Sequence, residues 1–127
     1  MAINVTRTSN NLSKTAQYFL TLSPAVKNMS DKAGEVISLD AWCVYEDTQT
    51  AKNGEEKTQT ILSIKTPDNE VFATNSMTFI HSFVEMVDFF AQDDIKVNHI
   101  LVDAGTSKSG RQFIQCVYVP DDSAMIE

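Results

Sequence analysis

The chain predicts a mainly β fold with helices: a five-stranded Greek-key barrel with one helix between its third and fourth strands and a helical extension before the first. Three observations lead there. Residues 35–45 alternate at period two, residues 77–91 carry apolar side chains at helical spacing, and two more strand-like runs, 96–104 and 112–119, follow that helix. With 127 residues, 43% of them hydrophobic, the chain is one domain long and can bury a core.

The elements follow in order. Residues 1–12 are polar with scattered apolar positions, Ile3 and Val5 among them, and read as an arm, loose or docked on a neighbouring subunit. From Ser13, a good N-cap, the pattern turns helical, with Ala16, Phe19 and Leu20 on one face. Ser23-Pro24 restarts a second short helix running through Val26 and Met29. The first strand spans 35–46, with Ile37, Leu39, Ala41, Cys43 and Tyr45 on one face and Ser38, Asp40, Trp42 and Val44 on the other. Asn53-Gly54 lies in the polar stretch 46–56 and marks a hairpin. Strands at 57–66 and 70–74 follow, separated by Pro67-Asp68-Asn69. Asn75-Ser76 caps the helix 77–91, which buries Phe79, Ile80, Phe83, Met86, Val87 and Phe90. Strands 96–104 and 112–119 are joined by the loop 105–111. The domain therefore runs over 13–119, leaving 120–127 as an acidic tail with an apolar end. Three strands, a helix and two strands is the order of an OB-fold barrel.

Composition narrows the function. A net charge of −7 excludes a basic packer of duplex DNA, and four Gly with three Pro exclude collagen-like and low-complexity chains. No apolar run approaches the ~20 residues of a membrane span, so no membrane partner is expected. The opening MAINVTRTSNNLSK lacks the basic and apolar regions of a secretory signal, which predicts the cytoplasm of a bacterial host. Cys43 and Cys116 lie in apolar runs and read as buried reduced thiols, and with only His81 and His99 to join them no metal site is expected. No nucleophile elbow, phosphate loop or zinc-protease motif occurs, so the chain reads as no enzyme and needs no cofactor.

The charge is unevenly placed. The tail holds three acids (Asp121, Asp122, Glu127) and residues 77–94 hold four (Glu85, Asp88, Asp93, Asp94), neither with a Lys or Arg, so the remainder of the chain is neutral. Within it the 105–111 loop carries Lys108 and Arg111 without an acid, and the 47–57 loop carries Lys52 and Lys57 against Asp47, Glu55 and Glu56. In an OB-fold these two loops flank the face that grips oligonucleotides. Lys108 and Arg111 can clamp phosphates, Trp42 can stack on a base, and Lys65 lies along the second strand of the same surface. Tyr45, Phe113 and Tyr118 read as core. Phe72, which the same reasoning favours for the core, is carried as a candidate contact on the third strand.

At this point the chain resembles the small OB-fold single-stranded DNA-binding proteins encoded by bacteriophages and conjugative plasmids of Gram-positive bacteria. The resemblance rests on GEVISLDAWCVYED, on TILSIKTPDNEVFATNS leading into MTFIHSFVEMVDFF, and on GTSKSGRQFIQCVYV, and spans residues 34–119. It implies sequence-tolerant coating and protection of single-stranded DNA, or RNA, during replication or transfer, alongside replication or transfer proteins. Self-association along the strand is assigned to the arm through Ile3 and Val5. The competing reading is an OB-like interaction module whose Trp42 face or acidic helix docks a replication or host factor without nucleic acid.

Overall fold

The computed structural model describes residues 2–9 and 12–120. The expected tail beyond Pro120, and positions 1, 10 and 11 of the expected arm, lie outside the described residues. The described chain is mainly β, with two helices and two sheets. Its elements are β1 (Ala2–Thr8), α1 (Lys14–Thr21), β2 (Lys27–Asn28), a 3-10 turn (Met29–Lys32), β3 (Val36–Ser38), β4 (Ala41–Thr50), β5 (Glu56–Lys65), β6 (Val71–Thr74), α2 (Met77–Ala91), β7 (His99–Thr106) and β8 (Gln112–Val119). One sheet has the order β1-β4-β5-β6-β2 and the other β3-β7-β8.

Three features depart from the sequence expectation. The first is the arm: residues 2–8 are a strand of the domain, antiparallel to β4, with Ile3 opposite Asp47 and Val5 opposite Tyr45. Ile3 and Val5 pack on a cluster formed by Leu20, Cys43, Tyr45 and Val71. Two apolar positions alternating with Asn4 and Thr6 are too short a pattern to declare a strand without the sheet that receives it.

The second departure is the segment after Pro24, which does not form a helix. Lys27 and Asn28 pair in parallel with Phe72 and Ala73, and the 3-10 turn then places Met29, fully buried, in the main core. The three-residue spacing of Val26 and Met29 arises from an extended pair followed by a tight turn, a pattern that periodicity alone does not separate from a helix.

The third concerns the strand expected over 35–46. It breaks at Leu39-Asp40: β3 pairs with β7 while β4 pairs with β5, and the Leu39 and Asp40 amides donate to the Asn98 and Lys65 carbonyls (2.8 and 2.9 Å). The break shifts the alternation by one residue. Ile37 and Leu39 therefore share the main core with Val44 and Trp42, while Cys43 and Tyr45 face the other way. Trp42 is thus on the interior side, not on a polar outer face.

The remaining elements fall close to expectation. The side chain of Ser13 caps α1 by accepting from the Ala16 amide (3.1 Å), and Ser76 caps α2 by accepting from the Phe79 amide (3.3 Å). The main core lies between the two sheets and α2, built from Val44, Leu62, Ile64 and Phe72 of the first sheet, Ile100, Val102 and Ile114 of the second, and Phe79, Ile80 and Phe83 of the helix. The second cluster covers the opposite face of β4 and β5, beneath α1 and β1. No hydrogen-bonded ladder joins β6 to β8 among the described residues, because β2 lies along β6 instead. The seam between the sheets stays open there.

Candidate nucleic-acid interface

The open seam holds a groove of about 1000 Å³. Side chains alternate along a strand, so Gln59 and Ile61 of β5 and Tyr45 of β4 share the outer face that forms its floor, continued by Ala73 and Thr74 of β6. Asn28, Ser30 and Ala33 make one wall, while Gly105, Thr106, Arg111, Gln112 and Phe113 of the β7–β8 hairpin make the other. The Asn75 amide nitrogen donates to the Gln59 side-chain oxygen (3.1 Å), fixing two amide side chains at the floor. Tyr45 is buried at the bottom, and burial raises its phenol pKa above the ordinary value. The lining residues include one charged side chain, Arg111, and no carboxylate.

Hairpin chemistry positions that arginine. Gly110 takes φ +84°, which a side chain would strain, and its amide donates to the Ser107 carbonyl (2.9 Å). The Ser107 amide donates to the Arg111 carbonyl (2.8 Å), and the Arg111 amide donates to the Ser107 hydroxyl (3.1 Å). These bonds set Arg111 at the start of β8, against the groove, with Lys108 exposed at the tip. On the second hairpin Lys52 sits in the turn, and Lys57 occupies the same outward face of β5 as Gln59. Lys52, Lys57, Lys108 and Arg111 have no ion-pair partner among the described residues.

Three expected contacts are elsewhere. Trp42 is packed on the main core, its ring edge-on to Phe83 (5.2 Å between centroids, 81°), with the Arg7 guanidinium 5.8 Å from its centroid. Its partly exposed side borders the second cavity, about 370 Å³, with Asp40, Asp88 and Lys96, away from the groove lining. Phe72 is 2% exposed and its ring is covered by the Lys27 and Lys32 ammonium groups at 5.9 and 5.3 Å. That leaves no face for a base. Lys65 forms an ion pair with Asp40 and holds that carboxyl below the ordinary carboxylate value. Residues missed from the sequence are Gln59, Asn75 and Phe113. Lys57-x-Gln59-x-Ile61 carried the signal for the first, while the other two need the register between strands.

The second cavity holds a different kind of chemistry. Arg7 donates both guanidinium nitrogens to Asp88 (2.6 and 3.2 Å), tying β1 to α2 and holding the Asp88 carboxyl below its ordinary value. Both thiols are buried, and burial pushes Cys43 and Cys116 up to about 12. Among the described residues no cluster of three His, Cys, Asp or Glu side chains could hold a metal, and no helix is long and apolar enough to cross a membrane.

A mainly β domain whose open groove is lined by Arg111 and by no carboxylate suits a polyanionic ligand such as a nucleic acid. The chain belongs to the phage single-stranded DNA-binding protein family, whose model matches residues 5–117. It is a single-stranded DNA-binding protein of a non-enzymatic family. Comparison with curated proteins and with solved structures found no match.

Proposed function

We propose that the groove between β5–β6 and the β7–β8 hairpin is where the chain holds single-stranded DNA, without sequence preference, and that it coats and protects such strands during replication of a phage genome. In this reading the two sheets are one open OB-type barrel, in which β3 with β4, then β5, β6, β7 and β8, are the five strands. One observation carries the proposal. On a chain of net charge −7, a groove of about 1000 Å³ is lined by no acid and one arginine. Arg111 lines the groove and Lys108 lies three residues before it on the same hairpin, so the local potential suits a polyanion even though the whole molecule is acidic.

Arg111 and Lys108 act on backbone phosphates, which carry no sequence information, while the amide pair Gln59–Asn75 lies where base edges would pass. Coating of long strands draws on neighbour contacts, and β1 offers an edge rather than the Ile3 and Val5 side chains, which are committed to the second cluster. The test is a titration with oligo-dT at several salt concentrations. Binding that weakens steeply with salt supports the proposal. Binding that is absent or insensitive to salt contradicts it.

A further inference from the structure

Gly105 and Phe113 are directly opposite each other in the β7–β8 ladder, and both line the groove. A Cβ built on Gly105 would lie 2.5 Å from the Phe113 ring carbon Cζ and 3.0 to 3.1 Å from its two Cε atoms. The ring therefore lies across the glycine backbone, in space that any side chain at 105 would occupy. Gly105 does not have a positive φ among the glycines that do (34, 54 and 110), so backbone conformation does not explain it. Contact with the ring does. Phe113 is partly exposed rather than buried, and Arg111, two positions earlier and just ahead of β8, lines the same groove.

We infer that Phe113 is the base-stacking platform of the groove and that Gly105 is the positioning residue that lets its ring lie flat against the sheet. Trp42, the only tryptophan, packs edge-on to Phe83 and borders the second cavity, and it does not line this groove. A flat aromatic backed by a strand on one side presents its other side to the groove, and stacking on a base tolerates any sequence because every base has a π-face. Arg111, which lines the same groove, is the charge available there to a phosphate beside the stacked base. The inference rests on the groove being the DNA site.

The experiment uses the full chain and oligo-dT. Phe113→Ala is expected to weaken binding roughly 10- to 100-fold, the range that loss of one stacked base gives, and Phe113→Tyr to restore most of it. Gly105→Ala touches no DNA, yet it displaces the ring, whose far end is what gives way, so it is expected to weaken binding several-fold with little change in melting temperature. In a Trp42→Phe background, Phe113→Trp makes the platform the only tryptophan, and oligo-dT is expected to quench its emission strongly. Wild-type affinity in both Phe113→Ala and Gly105→Ala, or an unquenched Phe113→Trp that still binds, overturns the platform while leaving the groove's role standing. Failure of the wild-type chain to bind oligo-dT at all overturns the groove reading itself.

Discussion

Arg7 contributes differently from the other cations because its charge is already used. Its two nitrogens grip Asp88 while its plane lies near Trp42, so β1, β4 and α2 meet at one guanidinium. The Asp88 carboxyl titrates below its ordinary value, mainly through the Arg7 hydrogen bonds. A depressed folded-state value means that the pair stabilises the fold above the ordinary carboxylate range and ceases to do so as pH falls through the folded value. Both partners are about half exposed, so the worth is that of a surface pair, ~0.2–1 kcal/mol. Asp88→Asn should lower the melting temperature slightly at pH 7, and the gap to wild type should close on acidification. A gap independent of pH would contradict the ion pair as its source. The thiols make a second prediction at this scale. With values near 12, Cys43 and Cys116 are almost entirely protonated at pH 8, so a thiol reagent should label them slowly in the native chain and rapidly in denaturant. Equal rates in both states would contradict their burial.

Among the elements, α1 is held by a single fully buried side chain. Leu20 is 0% exposed, whereas Tyr18, Phe19 and Leu22 are about half exposed. Leu20→Ala should cost ~2–5 kcal/mol, read as a lowered denaturant midpoint, while Phe19→Ala should cost far less. Removing residues 1–8 uncovers the β4 edge and the Tyr45 cluster, so truncation should lower the melting temperature, a loss that a loose arm would not produce. Much of this level was legible in the sequence. The helix over 77–91 appears with the expected bounds because six apolar residues at helical spacing and a Ser cap leave no competing pattern. Strands β5 to β8 were legible from short apolar runs bounded by turn residues. What was not legible depends on register. One shifted residue at Leu39-Asp40 moved Trp42 from the outer to the inner side, and no periodicity within a single strand reveals where it changes sheets. The pairing of Gly105 with Phe113 is likewise a fact about two strands.

At the scale of the whole molecule, charge separation reconciles an acidic protein with a polyanionic ligand. None of the four acids on and just after α2 lines the groove, whose lining holds Arg111. The cationic 105–111 loop was legible because its residues are contiguous; the absence of acids from the groove was not, because its lining is drawn from six separate segments. Each phosphate contact releases counterions, so Lys108→Ala combined with Arg111→Ala should weaken binding to every sequence alike and flatten the log–log salt slope by about 0.7 per lost contact. The central claim is that DNA lies in the seam between the two sheets. The most direct measurement is amide chemical-shift mapping of the labelled chain during titration with a short oligo-dT. The predicted perturbations concentrate at Gln59, Ile61, Thr74, Asn75, Gly105, Arg111 and Phe113, with Trp42, Asp88 and the amides of the C-terminal half of α2 unmoved. Perturbations centred on Trp42 and the C-terminal half of α2, with the groove amides silent, would contradict the account.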